Sequence, residues 1–270
     1  MSSALVAAPA AGVPSGRIAP VVVRYEPRGA ARDLFTRKDD EVLLTGPAGT
    51  GKSLACLHKL HLCASKYDGM RGLVVRKTLS SLTGTGLVTY RQRVLHLLDG
   101  VSFFGGNKEK PAAYQYPNGS EIVVGGMDKA SKIMSTDYDM IYVQEATELS
   151  EDDWESLTTR LRYGVMSYQQ LIADCNPDKP THWLKQRCEI GKALELPSRH
   201  EDNPRLHDGC DWTPEGYRYL RVLDNLTGAR KERLRYGRWA SAEGLVYDDY
   251  DAAVHLVSMR MLTDWGVLAS

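Results

Sequence analysis

Glu41-Val42-Leu43-Leu44-Thr45-Gly46-Pro47-Ala48-Gly49-Thr50-Gly51-Lys52-Ser53 runs from apolar residues into a turn of small ones and ends on a lysine and a serine. Leu54, Leu57 and Leu60 follow at helical spacing. The run therefore reads as strand, loop, helix, and the loop completes G-x-x-x-x-G-K-[ST] from Gly46 to Ser53. Glycines let the backbone close around a polyphosphate, and successive N–H groups and the helix N-terminus supply positive potential. Lys52 is placed to reach the β- and γ-phosphates, and Ser53 to offer its hydroxyl to Mg²⁺. Gly46, Pro47, Ala48, Gly49, Thr50, Gly51, Lys52 and Ser53 are therefore assigned to ATP, and Ser53 to the metal as well. A chance Gly-rich turn would lack the strand before it and the helix after it.

Beyond this core, Gly72 to Arg76, Glu121 to Gly125, Met140 to Gln144 and Gln170 to Asp174 are β-rich runs separated by helix-length segments. With Glu41 to Thr45 they predict an α/β fold, a mostly parallel central sheet with helices on both faces. The Ala-, Pro-, Ser- and Gly-rich residues 1–20 read as a mobile arm, 21–240 as one P-loop ATPase domain, and 241–270 as a linker.

Two further strand ends carry chemistry. Met140-Ile141-Tyr142-Val143-Gln144-Glu145 is an apolar strand ending in a polar pair, and a carboxylate there can orient water on a γ-phosphate. Glu145 is assigned as the catalytic base, which places the fold among P-loop NTPases with an additional catalytic glutamate; the plainer alternative is a solvated residue opening a helix at Ala146 to Leu149. Gln144 stands where an aspartate would ordinarily hold the Mg²⁺ shell. Its amide oxygen can accept a hydrogen bond from metal-bound water but brings no charge, so it is kept as the metal-shell residue with weaker binding or turnover expected. Asp137 and Asp139 sit at the wrong end of the strand to substitute. Leu171-Ile172-Ala173-Asp174-Cys175-Asn176-Pro177 is another such strand end, and Asn176 is assigned to sensing the γ-phosphate, with an ordinary Asn-Pro turn as the rival.

The whole chain narrows the choice less. Its 270 residues are 43% hydrophobic and 25% charged with a formal net charge of +0, so any nucleic-acid contact must come from a local basic surface. No stretch reaches the roughly 18 to 20 apolar residues of a membrane span, and the start lacks a signal peptide's basic region, so a cytoplasmic protein is expected. Five cysteines without a C-x-x-C pair read as reduced thiols, and Cys188, Cys210, His200 and His207 fit no common zinc spacing.

From Arg24-Tyr25-Glu26-Pro27-Arg28 through the P-loop, Leu73 to Thr78, Ile141 to Leu149 and Asp174 to Pro177, the chain resembles the large terminase subunits of tailed double-stranded DNA phages. Glu201-Asp202-Asn203-Pro204, Tyr219 to Leu223, Gly237-Arg238-Trp239 and Glu243-Gly244-Leu245-Val246-Tyr247 continue the likeness in order and resemble the segment joining a terminase ATPase to its nuclease. The resemblance implies an ATP-driven motor that moves double-stranded DNA into a procapsid in the cytoplasm of the infected host. It further implies Tyr25 and Arg28 beside the adenine, and Arg160 or Arg162, with Lys132 behind them, reaching a γ-phosphate. As partners it implies a ring of five subunits docked on the portal protein and loaded by a small terminase subunit. Arg71, Arg76, Lys77, Arg91, Arg93, Lys108 and Lys110 are candidate contacts to DNA phosphates. Residues 241–270, with Asp264-Trp265-Gly266, then read as the linker and the start of a missing nuclease domain, too short for the two-metal site of a full large terminase, so ATPase activity without DNA cleavage is expected. Two alternatives remain at this level: a helicase-like or recombination DNA-dependent ATPase, and a nucleotide-binding switch with little turnover.

Overall fold

The computed structural model describes residues 25–96, 99–241, 262 and 265. The expected arm at 1–20, and Glu243 to Tyr247 and Asp264 of the expected linker, lie outside them. The first apolar run becomes β1 (Glu41–Thr45), and the helix after the glycine loop becomes α2 (Lys52–Lys66), preceded by the short α1 (Gly29–Thr36). The other four expected strands are β2 (Arg71–Arg76), β5 (Glu121–Gly126), β6 (Met140–Val143) and β7 (Gln170–Asp174). Three more appear at the edges: β3 (Ser102–Phe104), β4 (Ala113–Gln115) and β8 (Leu194–Pro197).

One sheet holds all eight in the order β3-β4-β5-β2-β6-β7-β1-β8. Every pairing is parallel except β3 with β4 and β4 with β5. Strands β6 and β7 are buried along their whole length, as a parallel sheet covered on both faces requires. On one face Val42, Leu44, Tyr142 and Ile172 pack against Leu34 of α1 and Leu57 and Leu60 of α2. The same layer includes Leu82 of α3 (Leu79–Gly84), Leu87 of α4 (Gly86–Thr89) and Tyr90, which opens a π-helical turn (Tyr90–Val94). The opposite face carries Leu43, Val143 and Ala173 against Trp154 and Leu157 of α5 (Glu151–Thr158) and Leu184 of α6 (Trp183–Glu189). Helix α5 starts on a capping box, Ser150 and Asp153 each accepting the other's backbone N–H.

Two polar groups lock the layers where they meet the sheet. Lys59 of α2 is buried and donates to the carbonyls of Leu34 and Arg37 at 2.9 and 2.7 Å, closing the C-terminal end of α1; burial pushes its ammonium down to about 8. On the other side Arg187 of α6 makes a two-pronged ion pair with Glu41 at the start of β1, at 2.6 and 2.7 Å. Trp154 also donates its indole N–H to Glu41.

Two last helices, α7 (Pro214–Asp224) and α8 (Gly228–Arg235), come after β8 and return toward the P-loop. Thr213 caps α7 by accepting from Gly216 N–H, with Pro214 in the first turn where its missing N–H costs nothing. No helix among the described residues is long and apolar enough to cross a membrane.

Candidate functional site

The carboxyl ends of β1, β7 and β6 lie side by side, and the chain leaving each carries one expected residue or loop: the P-loop, Asn176 and Glu145. They meet in a cavity of about 420 Å³ lined by Ala48 to Leu54, Glu145, Asp174 and Asn176. Gly46 turns with φ 135°, and a Cβ there would come 2.4 Å from Ser198 O; Gly49 has φ 78°, and a Cβ would come 2.6 Å from the Tyr219 ring. Only glycine fits either place, because both need a positive φ and a near contact.

Within the loop, Lys52 Nζ donates to Pro47 O at 2.6 Å, Gly46 O at 3.0 Å and Asn176 Oδ1 at 3.1 Å. Its burial lowers the ammonium's pKa, while Asp174 and Glu145 act to raise it. The contact with Asn176 couples the P-loop to the end of β7. Ser53 Oγ donates to Asp174 Oδ2 at 2.6 Å, and the buried Tyr142 hydroxyl donates to Asp174 Oδ1 at 2.7 Å. Residues 121 positions apart in sequence thus meet across the gap between α2 and β7.

Glu145 is not the solvated first residue of a regular helix. It takes the left-handed conformation, φ 52° and ψ 58°, ahead of a single 3₁₀ turn (Ala146–Glu148), and it is the one non-glycine with positive φ among the described residues. Such backbone costs of order 1 kcal/mol and is kept where the surroundings enforce it. Burial pushes its carboxyl up to about 7, Asp174 adds to the rise, and Lys52 and Arg76 oppose it. A carboxyl that titrates near neutrality beside a phosphate-binding loop suits a general base.

Gln144 lies apart from the other expected residues. Its side chain is buried outside the cavity lining, where Oε1 accepts from Thr85 Oγ1 at 3.2 Å. Gly86 leaves the space it fills: a Cβ there would lie 2.8 Å from Gln144 Oε1. Its amide oxygen is thus engaged by Thr85.

The expected base contacts also sit elsewhere. Tyr25 lies flat on His58 with ring centroids 3.9 Å apart, and Arg28 donates to His207 O at 3.1 Å. Neither lines the cavity, although Arg28 reaches the residue next to Leu206 of its wall. Arg160 and Arg162 come after α5 at the amino end of the sheet, where Tyr138 N–H bonds to Arg160 O and Arg162 pairs with Asp137 at 2.9 Å. They cannot reach the cavity of their own chain. Arg76 and Lys77 are engaged by Glu148 and Asp153. Arg93, expected as a DNA contact, reaches the cavity from the π-helical turn, whereas Arg71, Lys110 and Lys132 share a separate cleft on the β4–β5 side of the sheet.

Five residues of the stretch after β8, with no role assigned from sequence, close the cavity: Asn203, Arg205, Leu206, Glu215 and Tyr219. Asn203 donates to Gly49 O at 2.7 Å, His200 Nε2 donates to Ala48 O at 3.0 Å, and Ala48 N–H donates to Leu234 O of α8 at 3.0 Å. The stretch from Ser198 to Gly237 is thus fastened over the P-loop. The likeness of Asp202-Asn203-Pro204, Tyr219 to Leu223 and Gly237-Arg238-Trp239 to a terminase segment was the signal that could have found it.

Solved structures share this fold. The large terminase of a thermophilic bacteriophage superposes with a TM-score of 0.65 at 18% identity, over 86% of this chain and 58% of that one. The large terminase ATPase domain of Thermus phage P74-26 gives 0.54 at 13%, over 80% and 95%, and the HK97 bacteriophage large terminase 0.54 at 12%, over 77% and 48%. The chain thus spans 58% of the length of the thermophilic phage's protein. No curated protein matches the chain. At such identities the likeness shows the shared fold, a P-loop α/β sheet. The family model described as "Phage terminase large subunit" matches residues 38–202, more than half of the chain and every strand that builds the cavity, and the protein therefore belongs to the phage terminase large subunit family.

Proposed function

We propose that this chain is the ATPase of a packaging motor, hydrolysing Mg²⁺-ATP to drive double-stranded DNA into a procapsid. The observation that carries it is the convergence of Lys52, Ser53, Asp174, Asn176 and Glu145 in one cavity at the carboxyl ends of three adjacent strands. The large terminase of the thermophilic phage has been solved with ADP and with ATP-γ-S, which agrees with a nucleotide in a site of this fold. The residues present fit the group. A P-loop folded on its own lysine, a hydroxyl whose proton is already held by a carboxylate, and a 15-residue helix with no acidic residue in its first turn are suited to a polyphosphate and a cation.

In this proposal Lys52 releases its loop carbonyls for β- and γ-phosphate oxygens, and Glu145 orients and deprotonates the attacking water. Asn176, already bonded to Lys52, responds to the γ-phosphate and carries its loss to the end of β7. Tyr219 and Asn203 close the cavity over the P-loop. Tyr25 and Arg28 stay assigned to the adenine side from outside the cavity lining, Arg28 through His207 next to Leu206. Ser53 would hold magnesium beside the phosphates, where it would supply neutralisation of the charge that develops in transfer.

The test is steady-state ATP hydrolysis with and without double-stranded DNA. Lys52→Ala should lower kcat/KM by about a hundredfold or more, since it removes the one cation the loop holds against the phosphates. Nucleotide binding without turnover in the wild-type chain would replace the motor with a switch. Strand separation of a duplex would replace it with a helicase-like enzyme.

Arg160 and Arg162 stand at the far end of the sheet, so we place their action on a neighbour's nucleotide within a ring that the portal protein and a small terminase subunit organise. Mixing Arg162→Ala chains with Lys52→Ala chains should then restore part of the turnover that each lacks alone, and likewise for Arg160→Ala. An absence of rescue from both mixtures would remove the arginines from the active site. DNA cleavage forms no part of the proposal.

A further inference from the structure

We propose that Asp174, at the end of β7, supplies the carboxylate that holds the Mg²⁺ shell beside Ser53, a role the sequence pattern gives to the position of Gln144 after β6. The proposal rests on the nucleotide reading above and adds where the metal's anionic support comes from.

Three observations converge. First, a hydroxyl has one proton and two lone pairs. The Ser53 proton is directed to Asp174 Oδ2 at 2.6 Å, which leaves the oxygen's lone pairs for a cation without breaking that bond. Second, Asp174 is 1% exposed, lines the cavity and forms no ion pair among the described residues. Its two hydrogen bonds come from the hydroxyls of Ser53 and Tyr142, and Lys52 Nζ is occupied by loop carbonyls, Thr50 and Asn176. A buried carboxylate bonded only by neutral donors, with Lys52 near it but bonded elsewhere, has no cation in direct contact, and a divalent ion beside it would provide one. Magnesium is commonly held by one or two carboxylates together with substrate phosphates and waters, which this corner of the cavity can accommodate. Third, Gln144 is uncharged, and its oxygen is engaged by Thr85 outside the cavity lining. The topology permits the exchange because β7 lies between β1 and β6, so the end of β7 is nearer to Ser53 than the end of β6 is. Tyr142, donating from β6, fixes the carboxylate's orientation.

The experiment measures binding of a fluorescent ADP analogue in Mg²⁺ and in EDTA, and Mn²⁺ binding by electron paramagnetic resonance in the presence of ATP-γ-S. The proteins are wild type, Asp174→Asn and Gln144→Ala, each checked for folding by circular dichroism. Asp174→Asn should keep the wild-type affinity in EDTA, lose most of the gain given by Mg²⁺, and bind Mn²⁺ about 10- to 100-fold more weakly. Gln144→Ala should bind Mn²⁺ within about threefold of wild type. Wild-type Mn²⁺ affinity in Asp174→Asn, or a tenfold loss in Gln144→Ala, overturns the assignment. If Asp174→Asn does not fold, Gln144→Ala decides alone, retained affinity supporting the assignment and tenfold loss overturning it. Failure of the wild-type chain to bind the nucleotide in either buffer removes the ATP site itself, an outcome distinct from a normal wild type with an indifferent Asp174→Asn.

Discussion

Glu145→Gln should lower kcat by about two to four orders of magnitude and, in the same protein, raise the melting temperature at pH 8 while leaving it nearly unchanged at pH 4.5. The two effects share one cause. Burial lifts the carboxyl from an ordinary 4.5 to about 7 in the folded chain, so the fold prefers the protonated form. A raised carboxyl pKa contributes most to stability below 4.5 and loses that contribution as pH rises through the window from 4.5 to 7. Above it, the ionised Glu145 burdens the fold by as much as about 3 kcal/mol, from about 1.4 kcal/mol per pKa unit. Glutamine escapes that burden and keeps the shape, which for a domain of this size is a gain on the order of 5 °C. The same carboxyl should give the wild-type ATPase an acid limb, activity falling as pH drops through the region of 7 because the base becomes protonated. Melting curves at the two pH values and a pH–rate profile check the prediction. A Glu145→Gln protein that is no more stable at pH 8 would show that the carboxyl is not strained by burial, and one that still turns over at the wild-type rate would show that it is not the base.

Arg187→Ala should cost about 3 to 5 kcal/mol of stability, measured by urea denaturation, without changing kcat per folded molecule. The Arg187 and Glu41 side chains are only 8% and 11% exposed, and Glu41 would be left facing Trp154 with most of its charge uncompensated. The partners lie at the amino end of β1, the opposite end of the sheet from the cavity, so the chemistry should be spared. Arg187→Lys should recover only part of the loss, since an ammonium cannot make the two parallel bonds of a guanidinium. The double variant Glu41→Leu with Arg187→Met should be more stable than Arg187→Ala, because neither charge is then buried. A loss below about 1 kcal/mol for Arg187→Ala would mean that Glu155, which also accepts from Arg187, or water carries the pairing.

How much could be read from the residues alone depended on how local each signal is. β1, β2, β5, β6 and β7 are buried β-rich runs bounded by turns, and each could be recognised from its own residues. β3 and β4 have three residues each, too few for a pattern to develop, and β8 contains Pro197, which reads as a break and is tolerated at a sheet edge. The P-loop and Glu145 were legible because their chemistry is set by position relative to a strand end. For Gln144 direction matters as much as position: its amide meets Thr85 outside the cavity lining, whereas Glu145, in a left-handed turn, lines the cavity. The placement of Arg160 and Arg162 was recoverable in principle, since a crossover helix runs back along the sheet and delivers the residues after it to the amino edge. The bond from Ser53 to Asp174 was not, because nothing local records which of several strand-end acids a distant serine will meet.

The strand order also acts as a ruler. Neighbouring strands lie about 4.8 Å apart, so the single strand β7 between β1 and β6 separates the P-loop strand from the glutamate strand by about 9.6 Å. One intervening strand keeps the two strands that lead to the P-loop and to Glu145 at a set spacing, and the inter-strand hydrogen bonds fix that length more rigidly than any side chain could.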